Sequence, residues 1–250
     1  MIKRKTMKRV ILTVVACSFL SIAFSQNATQ KPIKPYDWND RNNNPIYRSD
    51  SITKKAFTLI FLVQDSTFST ETQQKLTEAF FKVYPQEVKR FNKDAPKKVV
   101  FIIDPSYEGV AAASSNIIRC NPEWMKKHPE DIDVITHEAM HLVQSYHKGH
   151  TPGWLTEGIA DYVRFKYGVN NEKGGWLLPA FKPGHHYTNA YRITARFLVW
   201  IEANVDKKIV DKMNAAAFRG EYKDTLWVEY TGKTVDQLWA DYVKAQEPKN

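Results

Sequence analysis

The chain has 250 residues, 43% apolar and 13% aromatic, which suits one full-sized domain with a substantial core. Its formal charge of +9 points to an anionic partner only until the charges are located. Lys3, Arg4, Lys5, Lys8 and Arg9 fall in the first 25 residues, which contain no acid; the rest holds 31 basic against 27 acidic side chains, a balance that excludes nucleic acid as an expected partner.

Residues 1–25 predict an export signal. A basic stretch ending at Arg9 precedes the apolar run "VILTVVACSFLSIAF", and "AFS" before Gln26 puts small residues where a signal peptidase needs them. The run is too short to favour a spanning helix, and no other stretch is long and apolar enough for one. A lipoprotein-type box, "VVAC" ending at Cys17, is the alternative, disfavoured because the apolar run continues past the cysteine. Secretion or periplasmic release is therefore expected, with no stable membrane insertion. With the signal removed, Cys120 is left as a single thiol that has no internal disulfide partner. No base stands beside it, so a small buried apolar role is expected rather than nucleophilic chemistry.

Residues 26–50 are rich in Asn, Pro and Asp without periodicity and read as a flexible arm. The domain is expected over 51–250. It begins with a buried strand at 56–64, "AFTLIFLVQ", then a helix over "TETQQKLTEAFFKVYPQEVKRF" interrupted at Pro85. A second strand is expected at 97–104 and a third, extended and rich in small residues, at 109–120. From Pro122 onward the pattern is helical. One helix is expected from about 130 to 146, with Glu130, Asp131 and Asp133 at its positive end, and another from about 152 to 167, stopped by Gly168. After a Gly- and Pro-rich loop, three more helices are expected at 187–203, 206–218 and 233–245. Strands followed by helices predict an α+β domain, a small mixed sheet with a helical half.

The chemistry concentrates in "THEAMHLVQSY". Positions four apart lie on one helix face, about 6 Å from each other. His137 and His141 can thus aim two imidazole nitrogens at one point, while Glu138 sits about 100° round, off that point but within reach of a water there. H-E-x-x-H is the arrangement in which a Zn²⁺ ion lowers a water's pKa and the glutamate takes its proton before attack on a carbonyl. Val134, Ile135, Met140, Leu142 and Val143 flank the motif, which argues against two solvent-facing histidines.

A catalytic zinc needs a third protein ligand and an open position. Glu157, Asp161 and His147 are the candidates. In "GWLTEGIADYVRFKYG", Glu157 and Asp161 share a face, so Glu157 can complete the metal site while Asp161 accepts a hydrogen bond from a ligating imidazole. His147 is six residues beyond His141, a spacing that serves only where a glycine breaks the helix; Gln144 stands at that place, and an unbroken helix would turn His147 away.

The ordered set "HEAMHLVQSY", "GWLTEGIADYVRFKYG", "KPG", "YRITARFL" and "GKTVDQLWADY" resembles the basic secretory protein family of plants and bacteria, from about residue 55 to 244. That family is classed as zinc metallopeptidases of zincin-like fold. The resemblance implies Zn²⁺ as cofactor, His137, His141 and Glu157 as ligands and Glu138 as base. Such chemistry also needs a stabiliser of the oxyanion, for which Tyr191 is the candidate, with His185 or His186 behind it. The segment 109–118 could offer a sheet edge to a peptide substrate, and Trp176 with the loop 170–186 could roof the cleft. The resulting expectation is an exported zinc-dependent endopeptidase. A zinc hydrolase of cell-wall amides or esters, and a binding or defence protein with a vestigial site, are the alternatives.

Overall fold

A computed structural model describes residues 44–146 and 151–247; the expected export signal at 1–25, residues 26–43 of the expected arm and His147 lie outside them. Five strands form one mixed sheet in the order β1-β2-β3-β5-β4. β2 (Phe57–Val63) and β3 (Lys98–Ile103) are parallel, and β5 (Ile117–Cys120) continues the parallel run. β1 (Arg48–Lys54) and β4 (Ala111–Ser114) close the two edges in antiparallel pairing. Leu59, Phe61 and Val63 on β2 and Phe101 and Ile103 on β3 are fully buried, so the sheet's inner strands carry the core.

Two sheet features differ from expectation. β1 takes in Arg48, Ser49 and Asp50, the last residues of the stretch read as an arm. It is an edge strand of mostly exposed polar residues, held partly by side chains: Gln73 donates to Asp50 at 2.6 Å and Arg48 donates to the Phe68 carbonyl at 2.7 Å. Such a strand shows no hydrophobic alternation to read. The segment 109–120 is a hairpin, not one extended run, because Ser115 adopts φ 58 and turns the chain between Ser114 and Ile117.

α1 (Thr70–Phe91) opens on the Ser69 cap and runs unbroken through Pro85. The proline removes one N–H, but buried Val83, Tyr84 and Val88 hold that part of the helix in place. α2 (Pro122–Lys127) follows, then α3 (Val134–Gln144), which is shorter at both ends than expected. The acids ahead of it are engaged elsewhere. Asp131 accepts the Trp124 indole N–H at 2.8 Å and pairs with Arg164, while Asp133 accepts from the backbone N–H groups of Val169 and Asn170 at 2.8 and 2.6 Å. At the other end Ser145 turns left-handed with φ 38 and stops the helix.

α4 (Gly153–Tyr167) packs on α3, and a 3-10 turn (Tyr187–Asn189) leads into α5 (Tyr191–Asn204), which packs on α4. α6 (Ile209–Phe218), α7 (Thr225–Thr231) and α8 (Val235–Ala245) complete the helical half. The α+β arrangement is thus a small sheet followed by helices, with α3 in contact with α1, α4, β4 and β5. Every residue of α3 except His141 is buried. Cys120 is buried and has no disulfide partner among the described residues, as a packing residue would be. Among the described residues no helix is long and apolar enough to cross a membrane.

Candidate metal centre

Because α3 lies between the sheet and the helical half, the side chains on its α4 side meet whatever α4 presents. His137 and His141 bring their Nε2 atoms to 3.1 Å. Glu157, in the second turn of α4, places Oε2 at 3.2 Å from His137 Nε2 and 3.4 Å from His141 Nε2. A tetrahedral cation with bonds of about 2.0–2.1 Å keeps its ligand atoms about 3.3 Å apart, so these donors already stand at the right spacing. Two imidazole nitrogens and a carboxylate oxygen are also the donor set suited to zinc. The Glu157 side chain is 28% exposed, against 10% for His137, so the cluster is open to solvent on the glutamate side.

Both outer ring nitrogens are anchored. His137 Nδ1–H donates to Asp161 Oδ1 at 2.7 Å, one turn beyond Glu157 on α4. His141 Nδ1–H donates to Gln144 Oε1 at 2.7 Å, and the Gln144 amide donates in turn to the Thr156 carbonyl at 2.9 Å. These bonds fix the ring orientations that turn each Nε2 inward. In the sequence Gln144 weighs only against His147, and its bond to His141 is a role that the structure adds. Its i+3 spacing from His141 is a signal, although only the fold supplies the Thr156 carbonyl that orients it.

Burial alone would lower the pKa of His137, but hydrogen bonds to Asp161 and Glu157 outweigh it and push the ring up to about 10. Burial raises the Glu157 carboxyl, and the two histidines override this to hold it far below the ordinary range. Glu138 is buried beside them; desolvation raises its pKa against the opposing pull of His137 and His141. That carboxylate's field reaches Tyr107 and Cys120, adding to the burial that raises both. A further carboxyl, Glu87 on α1, is fully buried, and neither of its oxygens has a hydrogen-bond partner among the described residues.

Tyr191 stands at the mouth. Its ring lies 6.0 Å from the His137 ring, nearly parallel to it, and is half exposed. Burial raises its phenol, the Glu157, Glu138 and Asp161 carboxylates raise it further, and it reaches about 12. The ring is held there by two successive left-handed residues, Ala190 with φ 63 and Tyr191 with φ 49. His185 and His186 are engaged elsewhere: His185 Nδ1 accepts from the Lys182 N–H at 3.2 Å, and the His186 ring packs on Tyr187 and Trp239. Trp176 lies under the Arg164 guanidinium, 4.5 Å from its ring centroid, beside a shallow groove with Phe165 and Leu177.

A sequence profile of a family described as a peptidase of plants and bacteria matches residues 43–242. No curated protein matches the chain. Among solved structures, two of a mutant M1 zinc metallopeptidase from Deinococcus radiodurans align with it. The form bound to a Tyr-Ser-Ala substrate gives a TM-score of 0.41 at 14% identity, and the other 0.42 at 12%. Each alignment covers 80% of this chain and 48% of that one, so the chain spans about half their length. The profile match begins before β1 and ends within α8, taking in the sheet, α3 and α4; the chain belongs to this family of plant and bacterial peptidases, the basic secretory proteins that its motifs resemble.

Proposed function

We propose that the protein is an exported, zinc-dependent endopeptidase in which His137, His141 and Glu157 hold the metal and Glu138 is the general base. The observation that carries this reading is the meeting of three donor atoms from α3 and α4 within 4.8 Å of one another. A zinc ion held there would polarise the scissile carbonyl and acidify water. Glu138, buried and with its proton affinity raised, takes the proton of the attacking water and returns it to the leaving amine. Asp161 and Gln144 keep the two imidazoles turned toward the centre. The Tyr191 hydroxyl would donate to the developing oxyanion, a role supported by its half-exposed ring 6.0 Å from that of His137. A peptide would lie against the small-residue edge strand β4, which packs against α3.

The test pairs chelation with one substitution. Peptide hydrolysis by the purified protein should vanish on chelation and return with zinc. Glu138→Gln should keep stoichiometric zinc while turnover falls by about 10²–10⁴-fold, the usual worth of a positioned base. Full hydrolysis by that variant would refute the mechanism, and a folded protein that binds no zinc would refute the centre itself.

A further inference from the structure

Among the described residues β4 pairs with β5 along one edge and with no strand along the other. Asn121 N–H donates to the Val110 carbonyl at 3.0 Å, and the Cys120 carbonyl faces the other way, accepting from Asp104 N–H at 2.9 Å. Antiparallel neighbours alternate between bonded and unbonded pairs. Ala111, opposite Cys120, is therefore in an unbonded pair and turns its N–H and C=O away from β5, as does Ala113 two residues on. This is the row of groups that a peptide laid along β4 would meet.

Tyr107 is already on that row. Its hydroxyl donates to the Ala111 carbonyl at 3.0 Å. The ring gets there by folding back over Gly109, where a Cβ would stand 2.7 Å from the phenol oxygen and 2.9 Å from two ring carbons. The chain thus uses glycine at 109 because the ring fills the space of a side chain. With 9% exposure the ring is fixed in place, close enough to Glu138 to feel its charge.

We propose that Tyr107 is a specificity-determining cap on the substrate edge. It withdraws the Ala111 carbonyl, so a peptide pairs with β4 through Ala113 and the Ala111 N–H, and the substrate N–H that would face the Ala111 carbonyl is not read. The enzyme then tolerates a residue without an N–H at that one position near the scissile bond, proline above all. This inference rests on the peptidase reading above.

The test is a set of cleavable peptides in which each backbone N–H in turn is replaced by N-methyl. Wild type should accept methylation at one position beside the scissile bond within about twofold in kcat/KM, less than one net hydrogen bond is worth. Tyr107→Phe frees the carbonyl: the parent peptide should gain roughly fivefold in kcat/KM, and methylation at that position should abolish the gain. Gly109→Ala, which pushes the ring aside, should shift the methylation profile in the same way. An identical profile in wild type and both variants would overturn the cap. So would a loss of kcat in Tyr107→Phe by one common factor for every peptide, which would put the hydroxyl in the chemistry instead. If wild type cleaves no peptide at all, the peptidase reading falls and the cap falls with it.

Discussion

His137 holds hydrogen bonds at both ring nitrogens, and only one of them can survive metal binding. The bond from Nδ1 to Asp161 orients the ring, while Nε2, 3.2 Å from Glu157, keeps a proton where a cation would have to sit. Two carboxylates outweigh burial and push the ring's pKa to about 10, so near neutral pH it is an imidazolium in the metal-free chain. Metal binding must displace that proton. The zinc Kd should therefore fall about tenfold for each unit from pH 7 to pH 9, measured by competition with a chromophoric chelator. A flat profile would mean the ring is neutral before zinc arrives. Asp161→Asn should weaken zinc binding by about 10–100-fold, the usual effect of losing the partner that orients a ligand. It should also flatten the pH slope, because one of the two carboxylates that retain the proton is gone.

At the scale of elements, the crossing of α4 and α5 decides where Tyr191 stands. Gly158, next to Glu157, lies so close to α5 that a Cβ would come within 2.2 Å of Thr194 Cγ2. Thr194 cannot turn aside, since it is fully buried and its hydroxyl donates to the Tyr187 carbonyl. Gly158→Ala should therefore overpack the crossing, costing about 1–3 kcal/mol in thermal melts, and shift α5 with its N-terminal Tyr191. Zinc content should hold, because the three donors are on α3 and α4, while kcat falls. Loss of zinc with kcat per bound metal unchanged would show that α5 supports the centre and not the oxyanion. The same elements show how far the sequence could be read. H-E-x-x-H and the Glu157–Asp161 pair were legible because i,i+4 geometry is local to one helix. The α4–α5 contact was not, since a glycine within a helix marks a close approach without naming the neighbour. β1 and the Ser115 turn were hidden for want of alternation and of a glycine turn. The start of α3 was misplaced because Asp131 and Asp133 bind residues more than thirty positions away.

For the whole molecule, α3 is the element on which both halves pack, so the protonation of its buried groups enters global stability. The folded pKa of His137 is raised above 6.5 to about 10, so its contribution is fully present below pH 6.5 and is lost as pH rises toward 10. Glu87 is raised well above 4.5 by burial, with His137 opposing; the folded state binds that proton more tightly than the unfolded chain, and stability again falls as pH rises past 4.5. Both groups make the metal-free protein less stable in alkali. Zinc held at the proposed centre would act in the opposite sense, since each tenfold drop in Kd under excess metal adds about 1.4 kcal/mol to the folded state. The difference in melting temperature between zinc-loaded and metal-free protein should therefore widen steadily from pH 6.5 to pH 9, with the metal-free value declining over the same range. Paired thermal melts in matched buffers measure it. A difference that narrows with pH, or a metal-free protein that gains stability, would show that the cluster's proton is not held on His137 and that the charge balance linking α1, α3 and α4 is arranged some other way.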